Sequence, residues 1–375
     1  MAAHRQSDIP AILGRFRLFG TLQSVAPYGA GHINDTYASV YDQAGTRVRY
    51  IHQRVNGSVF RRPDQLMENV DRVTRHQAGK YRDRSDASRS HLVLVPSDDD
   101  RSFVVDGDGA YWRTYLFVEG ARTYNVVESE SQAEAAAAAF ARFLRDLSDL
   151  GGSPLYETIP DFHHSPKRFD ALQDAVNRDP KNRAVAASEE ISFVERRRQE
   201  LGLLLEMGRR GELPLRVTHN DTKLNNVMID DETGKGVCVI DLDTVMPGFV
   251  HYDFGDLVRT STSPAAEDER DLGKVTMRLP MFEALVRGYL SQAGDVLTDT
   301  ELEYLPFAGR LMTMTIGVRF LTDFLEGDVY FKTARPEHNL DRCRTQFALV
   351  ASMETQKDAM EEVVLRESGR RIDRS

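Results

Sequence analysis

The chain has 375 residues and a formal net charge of −10, from 48 Lys and Arg against 58 Asp and Glu, which argues against general nucleic-acid binding because phosphate neutralisation needs a basic surface. Its two cysteines are too few for a disulfide scaffold, and no apolar run is long enough to cross a membrane. We therefore expect two unequal lobes in a soluble, cytoplasmic monomer that binds neither nucleic acid nor membranes.

The first third of the chain is typical of antiparallel strands. Residues 37–41 and 48–55 alternate around a turn and predict a hairpin. Residues 64–80 predict a helix with one apolar face. Further strands are predicted over residues 91–96, 102–105 and 111–118.

The remainder of the chain predicts helices, and Ser131 with Glu134 forms a capping-box pattern at the start of the first one. A β-hairpin over residues 227–241 interrupts them, with polar residues at both ends. The predicted class is α+β, with a small antiparallel-sheet N-lobe over residues 1–119 and a larger, mostly helical C-lobe over residues 120–375. Later helices are expected over residues 166–185, 190–209, 275–293, 299–325 and 341–366.

The strongest functional signal is an HxDxKxxN pattern followed by a strand and an aspartate. It comprises His219, Asp221, Lys223, Asn226 and Asp241. The spacing resembles the catalytic loop and metal-binding aspartate of protein-kinase-like phosphotransferases. Asp221 would take the proton of an acceptor hydroxyl, and Lys223 would neutralise charge on the phosphoryl group. Asn226 and Asp241 offer the oxygen ligands that suit Mg²⁺, whereas His219 is assigned to support of the loop. The alternative is that these residues only cap loops and turns.

A second signal is the glycine pair Gly29 and Gly31, which follows a strand and would cover nucleotide phosphates with backbone N–H groups. The third glycine of a dinucleotide-binding fingerprint is missing, and no GxxxxGK[ST] sequence occurs. His32 and Asn34 follow in the same loop, where polar side chains would reach a substrate.

Several further acids could either bind a metal or brace the catalytic loop. We favour bracing for Asp253 and Asp256, with a second metal as the alternative, and group Asp243 with them. Arg319 and Asp323 lie four apart on a predicted helix, the spacing of an intrahelical salt bridge.

Six stretches resemble the N-acetylhexosamine 1-kinases, within the aminoglycoside phosphotransferase/choline kinase superfamily. The resemblance implies a two-lobed protein-kinase-like fold, ATP as phosphoryl donor, Mg²⁺, and transfer to the anomeric hydroxyl of N-acetylglucosamine (GlcNAc) or N-acetylgalactosamine (GalNAc). It also implies sugar contacts for His32, Arg319 and Tyr330. The matching stretches are residues 28–37, 215–226, 240–248, 253–256, 319–330 and 336–340.

The resemblance places the hinge between the lobes, where adenine would bind, at Phe117 and Glu119. It also exposes a departure, because Gln53 stands where a phosphate-binding lysine is expected. The acid that would pair with that lysine is either Glu68 or Asp71. Two alternatives stay open: a kinase of another small alcohol such as choline, an aminoglycoside or an amino-alcohol, and a catalytically inactive binding module.

Overall fold

The computed structural model describes residues 9–29 and 33–370. Its N-terminal part contains a five-stranded antiparallel sheet in the order β1-β2-β3-β5-β4. The predicted hairpin is confirmed as β2 and β3, whose tight turn places Ala44 and Gly45 at φ of 53° and 90°. The five strands are β1 (Thr21–Pro27), β2 (Asp35–Gln43), β3 (Thr46–Arg54), β4 (Val104–Val105) and β5 (Tyr111–Leu116).

The strand predicted over residues 91–96 is wrong, and little of the one over 102–105 forms. Residues 91–96 make a single bridge to β5 at Leu94. The segment bonds to β5 through Val93 and Val95, and the Pro96 oxygen accepts from the Arg17 amide, but Pro96 has no N–H to donate. The apolar content of residues 91–96 therefore predicted a strand, whereas the segment makes too few ladder bonds to form one.

The two faces of the sheet pack on different partners, because alternate side chains of a strand point to opposite sides. One face packs through Tyr50 and Trp112 against α1 (Ile9–Leu13). The other packs through Tyr115 on α2 (Pro63–Tyr81). The apolar face expected of this helix is formed by the buried side chains Leu66, Met67, Val70 and Val73.

The rest of the described chain is mostly helical. Its helices are α3 (Ala87–Ser90), α4 (Glu130–Asp146), α5 (Ser165–Arg178), α6 (Ser188–Glu195), α7 (Leu203–Arg209), α8 (Val250–Ser261), α9 (Leu279–Ala293), α10 (Asp299–Glu303), α11 (Leu305–Glu326), α12 (His338–Thr355) and α13 (Lys357–Ser368).

Three helices predicted as continuous are divided. A 3-10 turn separates α6 from α7, and a break at Gln356 separates α12 from α13. Pro306 occupies the first turn of α11 and so marks the break from α10. Helix α8 was not predicted; ten of its twelve residues are buried, and they include polar and charged side chains as well as apolar ones.

The N-terminus of α4 differs from the predicted capping box. Ser129 is the N-cap, and its side chain accepts from the Gln132 amide at 3.3 Å. Glu134 pairs instead with Arg287 of α9, at 2.9 Å. The same Ser-x-x-Glu/Gln spacing occurs at both positions, so the sequence offered two registers for one cap.

The second β-hairpin is confirmed as β8 (Val227–Asp230) and β9 (Gly236–Val239), and β6 (Ala121–Arg122) lies beside β8. It packs closely on α4: a Cβ added to Gly236 would lie 2.6 Å from that of Ala139. Nearby, β7 (Arg216–Thr218) pairs with β10 (Met246–Gly248). These strands flank the segments that carry the candidate site.

The α+β class, with an antiparallel N-terminal sheet and a mostly helical remainder, is confirmed. The lobe boundary between residues 119 and 120 stays a prediction. Within residues 9–29 and 33–370, no helix is both long and apolar enough to cross a bilayer.

Candidate active site

The loop between β7 and β8 brings three of the predicted catalytic and metal-binding side chains together. Asn226 Nδ2 donates to the backbone oxygen of Asp221 at 2.8 Å and to its Oδ2 at 3.0 Å. Lys223 Nζ lies 3.1 Å from the same Oδ2. Asp221 Oδ1 has no bond from any described residue, so one oxygen is held and the other is free, on a side chain that is 27% exposed.

Lys223 stays positively charged at this position. Burial alone would lower the pKa of its ammonium group, but Asp221 and Asp256 outweigh that effect and raise the pKa. A permanent cation beside the proposed base is suited to stabilising negative charge that develops in a reaction.

His219 and Asp253 brace the loop that carries Asp221. His219 Nε2 donates to the Ile240 oxygen at 2.9 Å, and burial lowers the pKa of His219, which keeps the ring neutral. The carboxylate of Asp253 on α8 accepts from the amides of His219 and Asn220 at 2.9 and 2.7 Å. Burial raises the pKa of Asp253 to about 7, against the opposing effect of these two amides.

Asp256 makes an ion pair rather than an open metal site. Its Oδ1 lies 2.7 Å from Arg259 Nε. Burial would raise the pKa of Asp256, but Arg259 outweighs it and the pKa is lowered. Both oxygens of Asp253 are thus engaged by the loop that carries Asp221, whereas Asp256 has one oxygen engaged, by an arginine of its own helix.

Asp241 follows β9 in a left-handed conformation, with φ of 61°. Asp241 is exposed, and its carboxylate makes no hydrogen bond or ion pair with the described residues. Desolvation by the surrounding protein, together with the negative charges of Asp243 and Asp221, raises the pKa of Asp241 to about 7. A carboxylate without a partner among the described residues fits a site for a divalent cation. Asn226 Oδ1, which receives no hydrogen bond from those residues, would be the second oxygen of such a site. The described residues contain no group of three His, Cys, Asp or Glu able to hold a metal, so phosphate or water oxygens would complete such a site.

Of the predicted nucleotide-side residues, Gln53 lies on β3, where its Oε1 accepts from Arg113. Asn34, predicted to reach the substrate, lies just before β2, and its Nδ2 donates to Asp243 Oδ2 at 2.7 Å. Arg113 also pairs with Asp243. Arg113 was not among the residues predicted from the sequence, although strand alternation places it on the same face as Gln53, its partner across β3 and β5.

Neither acid proposed on α2 has the expected partner. Asp71 pairs with Arg75 at 2.9 Å, and Glu68 is exposed. The acid beside the buried cation Arg113 is instead Asp243, which follows β9.

The segment predicted as the hinge is held by Arg49 of β3. Its guanidinium lies 3.7 Å from the Phe117 ring centroid, and its Nε donates to Glu119 Oε1 at 2.8 Å. Gly29 has φ of 76°, and a Cβ there would meet nothing within 4 Å. Two more residues assigned to this loop, Gly31 and His32, lie outside the described residues.

Arg319 of α11 contacts Tyr330, which lies just after the same helix. Arg319 NH2 donates to the Tyr330 hydroxyl at 3.5 Å, and the guanidinium lies 5.9 Å from the Phe162 ring. Phe162 contacts His163, which donates to the Asn220 backbone at 2.9 Å. These contacts link Arg319 to the loop that carries Asp221. Within the part of the chain that is described, Arg319 has no carboxylate partner, and burial lowers its pKa.

The salt bridge suggested by the spacing of Arg319 and Asp323 does not form. Asp323 accepts instead from the amides of Val329, Tyr330 and Phe331, at 2.9, 2.8 and 3.0 Å. The carboxylate therefore fixes the loop that presents the tyrosine.

Asn339 of α12 completes this support. Its Nδ2 donates to Asp323 Oδ2 at 2.8 Å and to Asp328 Oδ1 at 2.9 Å. Residues 336–340 thus act on the Tyr330 loop from the side, a role that sequence spacing alone did not predict.

Comparisons with known proteins address the family and the fold. A model of the phosphotransferase enzyme family (APH) matches residues 24–285, a range that includes Asp221 and Asp241 but ends before Arg319. Similar solved structures include an aminoglycoside phosphotransferase from Alicyclobacillus acidocaldarius, at 14% identity and TM-score 0.60 over 98% of each chain. A spectinomycin phosphotransferase solved with ADP and spectinomycin has 12% identity and TM-score 0.55, over 94% of this chain and 99% of that one. A choline kinase from Cryptosporidium parvum has 14% identity and TM-score 0.54 over 91% of each chain. The likeness confirms the expected protein-kinase-like fold.

Proposed function

The chain belongs to the phosphotransferase enzyme family, and from that premise we propose that it transfers the γ-phosphoryl group of ATP to the anomeric hydroxyl of GlcNAc or GalNAc. Family membership establishes a small-molecule phosphotransferase; the donor and the acceptor are the proposal. Structures of this fold solved as ADP and GDP complexes support a purine nucleotide as donor.

The charge of Arg319, which no carboxylate of the described residues pairs with, is the observation that carries the choice of acceptor. A cationic acceptor such as choline needs carboxylates or an aromatic cage free of other positive charge. Here the guanidinium stands among aromatic rings, and its charge adds to that of the nearby Arg168 and Arg259. Such a field disfavours an ammonium group, whereas the hydroxyl and acetyl oxygens of an N-acetylated sugar accept hydrogen bonds from arginine.

The geometry of Asp221 supports its role as the base. Lys223 and Asn226 hold Oδ2, so Oδ1 is available to take the proton of the anomeric hydroxyl. The hydroxyl oxygen forms the new bond to the γ-phosphorus, the bond to the β-phosphate oxygen breaks, and ADP leaves with the sugar 1-phosphate. Asp241 and Asn226 would hold Mg²⁺, which when bound would neutralise phosphate charge.

A panel of acceptors with ATP and Mg²⁺ tests this proposal. We expect ADP release with GlcNAc or GalNAc, little with choline or an aminoglycoside, and a new ester at carbon 1 by phosphorus NMR. Arg319→Met should raise the KM for the sugar but not for ATP, whereas Arg178→Met, at an exposed ion pair on α5, serves as the matched control. Turnover with choline and none with acetylated sugars would refute the acceptor assignment.

A further inference from the structure

A row of polar side chains crosses the side of the N-terminal sheet that contacts Asp243. Thr36, Gln53 and Arg113 are direct cross-strand neighbours on β2, β3 and β5. Gln53 Nε2 donates to Thr36 Oγ1 at 3.3 Å, while Arg113 Nε and NH2 donate to Gln53 Oε1 at 3.0 and 2.8 Å. Arg113 NH1 lies 2.5 Å from Asp243 Oδ1, so the row continues into the segment that follows Asp241.

Arg113 is not a surface residue. Its side chain is 0% exposed and that of Asp243 is 3% exposed. Burial opposes the charge, but Asp243 outweighs it, and the pKa of Arg113 is held above its usual value. Burying a cation with one buried acid as its partner costs desolvation free energy. Such a pair is expected where the positive charge serves a function.

The arginine also decides which way the Gln53 amide points. Arginine has only donors, so an amide that receives two of its N–H groups must turn its oxygen toward them. The NH2 group of Gln53 therefore points away from Arg113, toward Thr36 at the start of β2. That side of the sheet lies directly after the loop assigned to the nucleotide phosphates, and the bound cation increases the donor strength of the amide.

We propose that Arg113 is a positioning residue for the donor nucleotide, which turns the Gln53 NH2 toward the phosphates and holds Asp243 beside the metal-binding segment. The inference rests on the proposed ATP site and deepens it. A neutral donor and a separate buried cation together supply what a single lysine at position 53 would supply. Asp243 is shared with Asn34, so the same carboxylate also ties down the end of the phosphate loop.

The conservative variant Arg113→Lys separates positioning from simple structural support. Lysine keeps the charge beside Asp243 but cannot donate in a fork to Gln53 and hold its amide in one orientation. We expect a melting temperature near that of the wild type and an affinity for Mg·ATP about tenfold weaker, the scale of one hydrogen bond to a charged group. Adenosine, which lacks phosphates, should bind both proteins equally. Unchanged Mg·ATP affinity in a folded Arg113→Lys protein would overturn the proposal.

A compensating pair provides the second test. Gln53→Lys should weaken Mg·ATP binding in the wild-type background, because it places two cations together. In the Arg113→Gln background the same change should strengthen binding, because it restores one cation beside Asp243. If Gln53→Lys is equally harmful in both backgrounds, or restores only the melting temperature, Arg113 is merely structural.

Calorimetry of nucleotide binding needs no acceptor, so these outcomes are independent of which sugar is phosphorylated. A wild-type protein that phosphorylates no sugar but shows the expected Arg113→Lys defect would contradict the proposed acceptor alone. A wild-type protein that binds no Mg·ATP would overturn both proposals.

Discussion

The Asp323 carboxylate accepts the backbone amide of Tyr330 at 2.8 Å, which places a residue of α11 in control of the loop beyond it. Asp323→Asn leaves one acceptor oxygen for a loop that uses two. Because Tyr330 would then lose its fixed position, we expect the KM for the acceptor to rise about tenfold, the cost of one or two lost hydrogen bonds. The kcat and the KM for ATP should change little.

The control for this experiment is Glu326→Gln, on the same helix but paired with Arg178. It should leave acceptor kinetics unchanged. If Asp323→Asn instead lowers kcat and leaves the acceptor KM as in the wild type, the loop does not position the acceptor.

Asp221→Asn should abolish most of the turnover without unfolding the protein. The amide keeps the size of the carboxylate but cannot accept a proton, so we expect kcat to fall by roughly 10²–10⁴, the scale of a lost general base. Steady-state ADP release measures the effect. Asp231→Asn, at a surface ion pair with Arg122, is the matched change of charge. Wild-type turnover in Asp221→Asn would assign the base elsewhere.

Asp241→Asn should separate stability from metal binding. In the absence of metal the pKa of the crowded Asp241 carboxylate is about 7. Its ionised form therefore lowers the free energy of unfolding above roughly pH 4, and this destabilisation increases toward neutrality. The variant is therefore expected to melt at or above the wild-type temperature in EDTA at pH 8. With Mg·ATP the wild type should gain stability through binding and the variant should not. Equal gains in both proteins would exclude Asp241 as a ligand.

Buried histidines predict acid sensitivity. His251 Nε2 donates to the Glu301 backbone at 3.0 Å, and burial lowers the pKa of this ring to about 4. An unfolded chain takes up the proton near pH 6.5, so stability is lost as pH falls from about 6.5 to 4, at up to about 1.4 kcal/mol per pH unit.

His251→Gln keeps a donor for the backbone oxygen but has no proton to gain. Urea unfolding at pH 7 and pH 5 should show a smaller loss of unfolding free energy in this variant. His76→Gln, near the surface beside Asp149, is the comparison. Identical losses in wild type and His251→Gln would contradict the assignment.

Most of the candidate catalytic loop was predictable from the sequence, because its residues lie within one short segment. Asp221, Lys223 and Asn226 contact one another through local geometry that the HxDxKxxN spacing already implies. The hairpin before Asp241 was predictable for the same reason, since two alternating runs flank a turn.

Residues that act through distant partners were harder to predict. Arg113 gains its meaning from Gln53 across the sheet and from Asp243 in another part of the chain. Asp323 looked like half of a helical ion pair, and only the folded loop shows that backbone amides claim its oxygens. Spacing along one element cannot reveal contacts that depend on how elements pack.

The Arg113–Asp243 pair also bears on how the chain is made. Arg113 is synthesised long before Asp243, the acid that neutralises it. Until residues near 243 have been synthesised, burying β5 in the small sheet would cost the free energy of burying an unpaired charge. Nascent chains stalled before that point should remain open to proteases at β5, and a separately expressed N-terminal half would require an added C-terminal half to become compact.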